Sequence, residues 1–331
     1  MLLGKHTLVI GICLSLGLIY LTSSAAQTPD DGEKDLPEIT AVDANTPEIV
    51  ESEKSELISA ATILDYAKPN QLYLRSSHVL IVDQREGVHL YGKNIDEPRP
   101  IASVTKLMTA MVILDANLPM DEEITITKAD RDRLRGSKSR LQRGMRFTRE
   151  DLLLIALAAS ENRASKALAR TYPGGKENFV NMMNVKAKTL GMTHSRFKDS
   201  SGLDSRNVAT ARDLVLMTEA ALKYEKIQKF TTQDEGEIRD LRRKRTIPFI
   251  NTNRLVRRDK WEIGLSKTGY IADAGHCLVM QAEIGERPVI MVLLNSWGKL
   301  SKFGDSNRVK KWLLRAERRA KKNQHIAQTN G

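Results

Sequence analysis

The feature that most constrains this chain is that its strand-forming runs lie at the two ends of the foldable part, with a helical block between them. HVLIVD (78–83) and VHLYG (88–92) are β-rich and joined by the turn-like QREG, a hairpin signal. Strands return only at WEIGLSKTGY (261–270), GHCLVMQAEI (275–284) and PVIMVLLNS (288–296), the last two separated by GER and expected to form an antiparallel hairpin. Between them, after Pro98 and Pro100, Ile101, Val104, Leu107, Met108, Met111, Val112 and Leu114 recur at spacings near three and four, so Ser103 sits in the first turn of an amphipathic helix. Thr148, with Asp151 three residues on, opens a helix through the apolar stretch 152–159, which SENR interrupts. Further helix is expected over 164–169, ended by Pro173, Gly174 and Gly175, and again over 176–190 and 211–223. Residues 228–260 are highly charged and receive no assignment. Val309, Trp312, Leu313 and Ala316 keep helical spacing and close the domain. The order implies one mixed α/β domain over 69–317, an antiparallel sheet flanked by helices and carrying a helical insertion, with a frayed basic tail over 318–331.

Ahead of that domain, Lys5 and His6 precede an apolar run from Leu8 to Leu21, then Ser24, Ala25 and Ala26. This is the layout of a secretory signal peptide over 1–26, and its cleavage would leave no transmembrane anchor. Residues 27–68 are acidic, Pro-bearing and aperiodic, and read as a flexible arm. Over 27–64 ten carboxylates face two lysines, a net of −8, so the whole-chain charge of +11 leaves +18 on 65–331. Nucleic acid is the usual partner of such charge, but aromatic residues make up only 5%, no nucleic-acid motif is present and export removes the target. An anionic polymer outside the cytoplasm fits better. Cys13 lies in the apolar run, which leaves Cys277 as a lone buried thiol between apolar neighbours. The six histidines, His194 and His276 among them, show no ligand spacing, and no phosphate-binding loop is evident, so neither a metal nor a cofactor is expected.

Chemistry is suggested by three short motifs. The first is SVTK, Ser103 to Lys106: an i, i+3 pair shares a helix face, and a lysine made neutral by burial or by a neighbouring cation can take a serine proton. Alone this is weak, because Ser195 to Lys198 and Ser296 to Lys299 match the same pattern. Only Ser103 opens a helix, where first-turn N–H groups can help to hold an oxyanion. The second motif is Ser160–Glu161–Asn162, polar residues breaking an apolar helix, with a rival at Ser205 to Asn207 among turn residues. The third is Lys267–Thr268–Gly269 at the end of a strand, beside Ser266 and Tyr270. A lysine and a threonine there can hold a carboxylate, and Gly269 leaves room for backbone approach, although an exposed strand-end turn would look the same.

In this order the three motifs resemble the serine β-lactamase and penicillin-binding-protein superfamily. The longer stretches RPIASVTKLMTAMVILDANLPMDE, SENRASKALARTYPGG, GMTHSRFKDSSGLD and NTNRLVRRDKWEIGLSKTGYIADAGHCLVM are similar to one low-molecular-weight branch, the D-alanyl-D-alanine endopeptidases, over roughly 72–315. The resemblance implies the serine D,D-peptidase fold, with Ser103 as acyl-ester nucleophile and Lys106 as proton acceptor, its pKa lowered by the second lysine. It further implies that Ser160 relays a proton to the leaving amine, Asn162 binds the substrate amide, and Lys267, Thr268, Gly269 and Tyr270 line the substrate site. The backbone N–H groups of Ser103 and Tyr270 would form the oxyanion hole. The implied substrate is the peptidoglycan stem peptide, the implied inhibitors are β-lactams, and the implied location is the periplasm. A D,D-carboxypeptidase uses the same motifs and is the alternative, though the chain stops soon after its closing helix without the extra β-rich domain and membrane-binding helix of the common carboxypeptidases. A β-lactamase is disfavoured because no E-x-x-L-N segment follows the second motif, and a non-catalytic β-lactam-binding module because the motifs are intact.

Overall fold

The computed structural model describes residues 58–329; the expected signal peptide and most of the acidic arm lie outside them. In chain order, helix α1 (Ala60–Tyr66) leads into the hairpin β1 (Ser76–Asp83) and β2 (Val88–Lys93), then the short β3 (Arg99–Pro100). A 3-10 turn, Ala102–Thr105, runs directly into α2 (Lys106–Asp115), followed by β4 (Glu123–Thr125), β5 (Arg146–Thr148), α3 (Arg149–Leu157), α4 (Asn162–Arg170) and α5 (Gly175–Thr189). After β6 (Val208–Ala209) come α6 (Ala211–Ala221), α7 (Glu225–Thr232) and the hairpin β7 (Glu235–Asp240) and β8 (Arg245–Ile250). The chain closes with β9 (Glu262–Ile271), β10 (Gly275–Ile284), β11 (Arg287–Ser296) and α8 (Ser301–Thr329).

The two ends do meet in one sheet. Its strand order is β2-β1-β11-β10-β9, and β1 pairs antiparallel with β11, Leu80 opposite Val292. Because helices cover both faces, the central strands read as continuous apolar runs rather than alternating ones. Leu80, Val82, Val279, Ile290 and Val292 pack toward the helical block, whereas Val79, Ile81, Met280, Met291 and Leu293 pack toward α8 and α1. Strand β9 is left at the edge, where its Lys267–Tyr270 segment borders the helical block.

The observed structure departs from the sequence reading at four places. Order begins before residue 69: Ile58, Ala60, Ile63 and Ala67 are buried, the Ser59 hydroxyl caps α1 by accepting from Thr62 N–H, and the Glu86 carboxylate accepts from Ala60 N–H at 2.9 Å. The basic tail does not fray at 318, because α8 continues to Thr329 with Ala316 and Ala320 seated on the sheet side. The unassigned segment 228–260 supplies the end of α7 and the β7–β8 hairpin. Helix α2 is not amphipathic, since eight of its ten residues, Lys106 included, are buried. A helix buried nearly all round sits at the centre of a domain, and α2 is packed among α3, α4, α5, α6 and α7, with α6 lying against the sheet.

Helix α8 is pinned to the sheet at both ends of its buried face. The Asp305 carboxylate accepts from Ser76 N–H at 2.8 Å and from the Ser76 hydroxyl at 2.6 Å. Farther along, the Trp312 indole stands edge-on to Tyr91 at 6.3 Å and donates to the Ala67 carbonyl, so one side chain ties α8, β2 and the end of α1 together. Removing such a side chain from a packed core costs about 3–5 kcal/mol. Trp312→Ala is therefore expected to lower unfolding stability by that amount in urea titration, while the remaining folded protein keeps its rate of penicillin acylation, because the cavity opens on the sheet face away from Ser103.

Candidate active site

The site is organised around one amine. Lys106 is fully buried, and its Nζ lies 2.8 Å from Ser103 Oγ, 2.8 Å from Asn162 Oδ1 and 2.7 Å from the Ser201 carbonyl. The 3-10 turn passing into α2 places Ser103 and Lys106 on one side, as the i, i+3 spacing predicts. Asn162 arrives from the first position of α4, oriented by its own amide N–H, which donates to Ser137 Oγ at 3.0 Å.

Burial lowers the Lys106 pKa to about 7; the carboxylates of Asp199 and Glu161 oppose the shift, and the Lys166 cation adds to it. Of the two routes the sequence offered, burial and a neighbouring cation, burial dominates, and the cation that adds to it is Lys166 rather than Lys267. Lys267, buried as well, is held well below the ordinary lysine range by desolvation first and by the charge of Lys106 second. Its Nζ donates to the Thr268 carbonyl at 3.2 Å.

The three acceptors of Lys106 Nζ differ in one respect that fixes where its lone pair points. The Ser201 carbonyl and the Asn162 amide oxygen can only accept, whereas the Ser103 hydroxyl also carries a proton. A neutral amine has two N–H bonds and one lone pair, so two N–H bonds satisfy the two oxygens and the lone pair is left facing Ser103 O–H.

The third motif closes on the first through glycine. A Cβ on Gly269 would stand 2.9 Å from the Ile101 carbonyl and 3.0 Å from Ser103 N, so the backbone of β9 runs directly beside the Ser103 N–H. It closes on the second motif through Thr252: the Thr268 hydroxyl donates to Thr252 Oγ1 at 2.7 Å, and Thr252 N–H donates to the Ala158 carbonyl at 3.0 Å, just before Ser160. Tyr270 is 60% exposed and stacks on His276 with ring centroids 4.3 Å apart, so it presents a face to solvent rather than filling core. Ser160 is held at φ 60° and Ala102 at φ 48°, left-handed conformations that non-glycine residues adopt at a cost and that concentrate at functional sites. The structure brings Ser103, Lys106, Asn162 and the Lys267–Tyr270 strand together, while among the described residues the hydroxyl of Ser160, two positions before Asn162, makes no hydrogen bond.

The rival motifs separate cleanly. Ser195 Oγ donates to Asp213 at 2.7 Å, and Ser296 Oγ is buried against Ser76 Oγ at 2.7 Å, so neither serine meets its lysine. Asn207 of the rival S-x-N pattern is a structural post: buried, it donates to Thr105 Oγ1 and the Asp199 carbonyl, and accepts from Lys198 and Asp199 N–H. Cys277 is a buried thiol, pushed up to about 11 by burial.

Sequence reasoning missed the turn 199–202 that supplies the Ser201 carbonyl. Asp199 Oδ1 accepts from Ser201 and Gly202 N–H, and Gly202, at φ 80°, lies so close that a Cβ would meet the Ala102 carbonyl at 1.8 Å. Gly269 and Gly202 are in this sense the two clamps on the Ser103 turn.

Residues 65–298 match the D-alanyl-D-alanine carboxypeptidase family of peptidases. The chain belongs to that family. Among curated relatives, the D-alanyl-D-alanine endopeptidase of Pseudomonas aeruginosa is 44% identical over 245 residues, 74% of this chain and 79% of that protein. The Escherichia coli D-alanyl-D-alanine endopeptidase is 43% identical over 244 residues, with the same shares. Among solved structures, a Streptomyces DD-transpeptidase superposes with a TM-score of 0.68 at 26% identity, covering 73% of this chain and 98% of that one. A Listeria monocytogenes penicillin-binding protein in its ampicillin-bound form gives 0.64 at 27% identity, covering 74% and 99%. The serine D,D-peptidase fold expected from the motifs is the fold observed.

For a D-alanyl-D-alanine carboxypeptidase family member built this way, Gly202→Ala is a sharp test of the turn. The left-handed backbone alone costs about 1–3 kcal/mol, and the clash with Ala102 adds to it. The variant is expected to melt at lower temperature in calorimetry and to lose penicillin acylation together with stability, because the displaced turn takes the Ser201 carbonyl away from Lys106.

Proposed function

We propose that this protein is a serine D,D-endopeptidase that hydrolyses D-alanyl cross-links of peptidoglycan through an acyl-enzyme on Ser103. The observation that carries the reading is the buried Lys106 amine, its pKa lowered to about 7 and its Nζ 2.8 Å from Ser103 Oγ, where the neutral amine can turn its lone pair on the hydroxyl. Ser103 Oγ adds to the D-alanyl carbonyl carbon as its proton passes to Lys106 Nζ. The C–N bond then breaks, the amine leaves with a proton, and an ester remains on Ser103. Water attacks that ester in the second half, giving its proton to Lys106, and the carboxylate product and Ser103 O–H are regenerated.

The remaining roles follow the same geometry. Ser103 N–H and Tyr270 N–H hold the developing oxyanion, a reading supported by the backbone approach at Gly269. Asn162 engages the substrate amide while its oxygen keeps Lys106 in place, and Lys267 with Thr268 receives a carboxylate. Ser160 relays the proton to the departing amine; its free hydroxyl leaves it available for that step. β-Lactams would acylate Ser103 as substrate mimics. Export by residues 1–26 and a periplasmic location complete the proposal. Among the described residues no helix is long and apolar enough to cross a membrane.

D,D-carboxypeptidase activity is the second reading, favoured by the family's own description and by a carboxypeptidase relative from Bacillus subtilis that is 32% identical over 243 residues. Purified protein incubated with cross-linked and monomeric muropeptides separates the two: cleavage of dimers supports the endopeptidase, and release of D-alanine from monomers alone would replace it with the carboxypeptidase.

The base makes a signed prediction about pH. A lysine lowered to about 7 acts only when deprotonated, so acylation by penicillin should rise about tenfold from pH 6 to pH 8 with a midpoint near 7. Lys106→Ala is expected to acylate about 10²- to 10⁴-fold more slowly in stopped-flow measurements and to lose that rise. A flat profile in the unmodified protein would remove Lys106 from the role of base.

A further inference from the structure

Helix α4 does more than deliver Asn162. Residues four apart share a helix face, so Asn162, Lys166 and Arg170 form a row that leaves the Ser103 cleft one turn at a time. The row leads to a cavity of about 750 Å³, walled by the loop after β4, by α4, by the start of α5 and by residues 198–206. Seven cationic side chains and four carboxylates line it. Three of the carboxylates are already engaged. Asp130 pairs with Arg170 at 2.8 Å and Asp204 with Arg206 at 2.6 Å, while Asp199 is spent on backbone N–H groups, with both oxygens accepting. Among the described residues Arg131, Arg133, Lys176 and Lys198 have no carboxylate at ion-pair distance, yet all four border the same space. Lys176 stands in the first turn of the fifteen-residue α5, whose N-terminal N–H groups add to the positive potential.

We propose that this cavity is a second recognition site, which takes carboxylate groups of a peptidoglycan stem at a distance from the bond being cut. The proposal rests on the reading of the protein as a cross-link hydrolase and deepens it. A cavity of this size suits a short peptide segment. Four cations from three separate elements, left without partners around one space, repel one another, and an anionic ligand relieves that repulsion. A cross-linked substrate carries two stems, so binding energy is available far from the scissile amide and can be used to position it. A penicillin, by contrast, carries no second stem with which to occupy the cavity. The wall between cavity and cleft is the turn 199–202, whose Ser201 carbonyl holds Lys106, so an occupant sits against the back of the site itself.

The test uses the full-length mature enzyme carrying Arg133→Gln, Lys176→Gln and Lys198→Gln together, none of which touches Ser103 or Lys106. Hydrolysis of cross-linked muropeptide is expected to fall at least tenfold in kcat/KM, chiefly through KM, while acylation by penicillin stays within twofold. Amidating the stem carboxylates other than the one beside the scissile bond, which Lys267 and Thr268 receive, should cost the unmodified enzyme the same factor and the variant nothing more. An unchanged kcat/KM on the dimer, or an equal fall with penicillin, would overturn the proposal. If the unmodified enzyme does not cleave dimers, it is the hydrolase reading that fails. The cavity is then judged by calorimetric binding of a stem tripeptide at low salt, where equal affinities for enzyme and variant would sink it and weaker binding by the variant would sustain it.

Discussion

The rest of this structure depends on keeping one primary amine out of water. A buried ammonium is costly unless every N–H finds an acceptor, and Lys106 finds three, from the turn before α2, from α4 and from the turn 199–202. Those three segments are far apart in sequence, so the fold must hold them still at ångström precision. Burial of α2 on nearly all sides does this, because a helix packed among five other helices has no freedom to shift. The cost of desolvation reappears as chemistry: the same environment that disfavours the charged amine lowers its pKa to about 7.

The sheet contributes by being covered on both faces while leaving β9 at its edge. An interior strand would have its backbone groups fully paired to neighbours, whereas an edge strand can lie against a non-strand segment, here the Ser103 turn. Glycine makes that approach possible at position 269 and again at position 202, where two backbones meet with no space for a side chain. The left-handed Ala102 and Ser160 show where the chain is bent against preference to complete the site. The neighbouring packing, with Ala102 1% exposed, keeps the strained residue from relaxing.

The parts of this arrangement legible in sequence are those with side-chain periodicity or a distinctive residue type. The outer strands, the helical block and the triplet of motifs were readable because apolar spacing and rare combinations mark them. Singling out Ser103 among three S-x-x-K matches needed the local context, and the structure explains why the other two serines are occupied elsewhere. The Ser201 carbonyl was not legible, since a backbone oxygen has no residue signature. Nor was the β7–β8 hairpin, in which β7 buries only Ile238 and Asp240 beneath a charged surface. Helix α8 outran its expected end for a related reason: its last inward position is Ala320, a lone small residue among charged ones that does not register as an apolar stripe although it packs fully. Helix α1 was masked by the acidic segment around it.

The two buried lysines are not equivalent, and the difference gives the site a direction. Asp199 and Glu161 favour charge on Lys106, whereas the field at Lys267 contains only desolvation and the opposing cation of Lys106. A carboxylate brought against Lys267 favours charge there, and a cation at Lys267 disfavours one at Lys106. In the reading advanced here, a bound substrate thus pushes the amine beside Ser103 toward its neutral form at the moment when a base is needed.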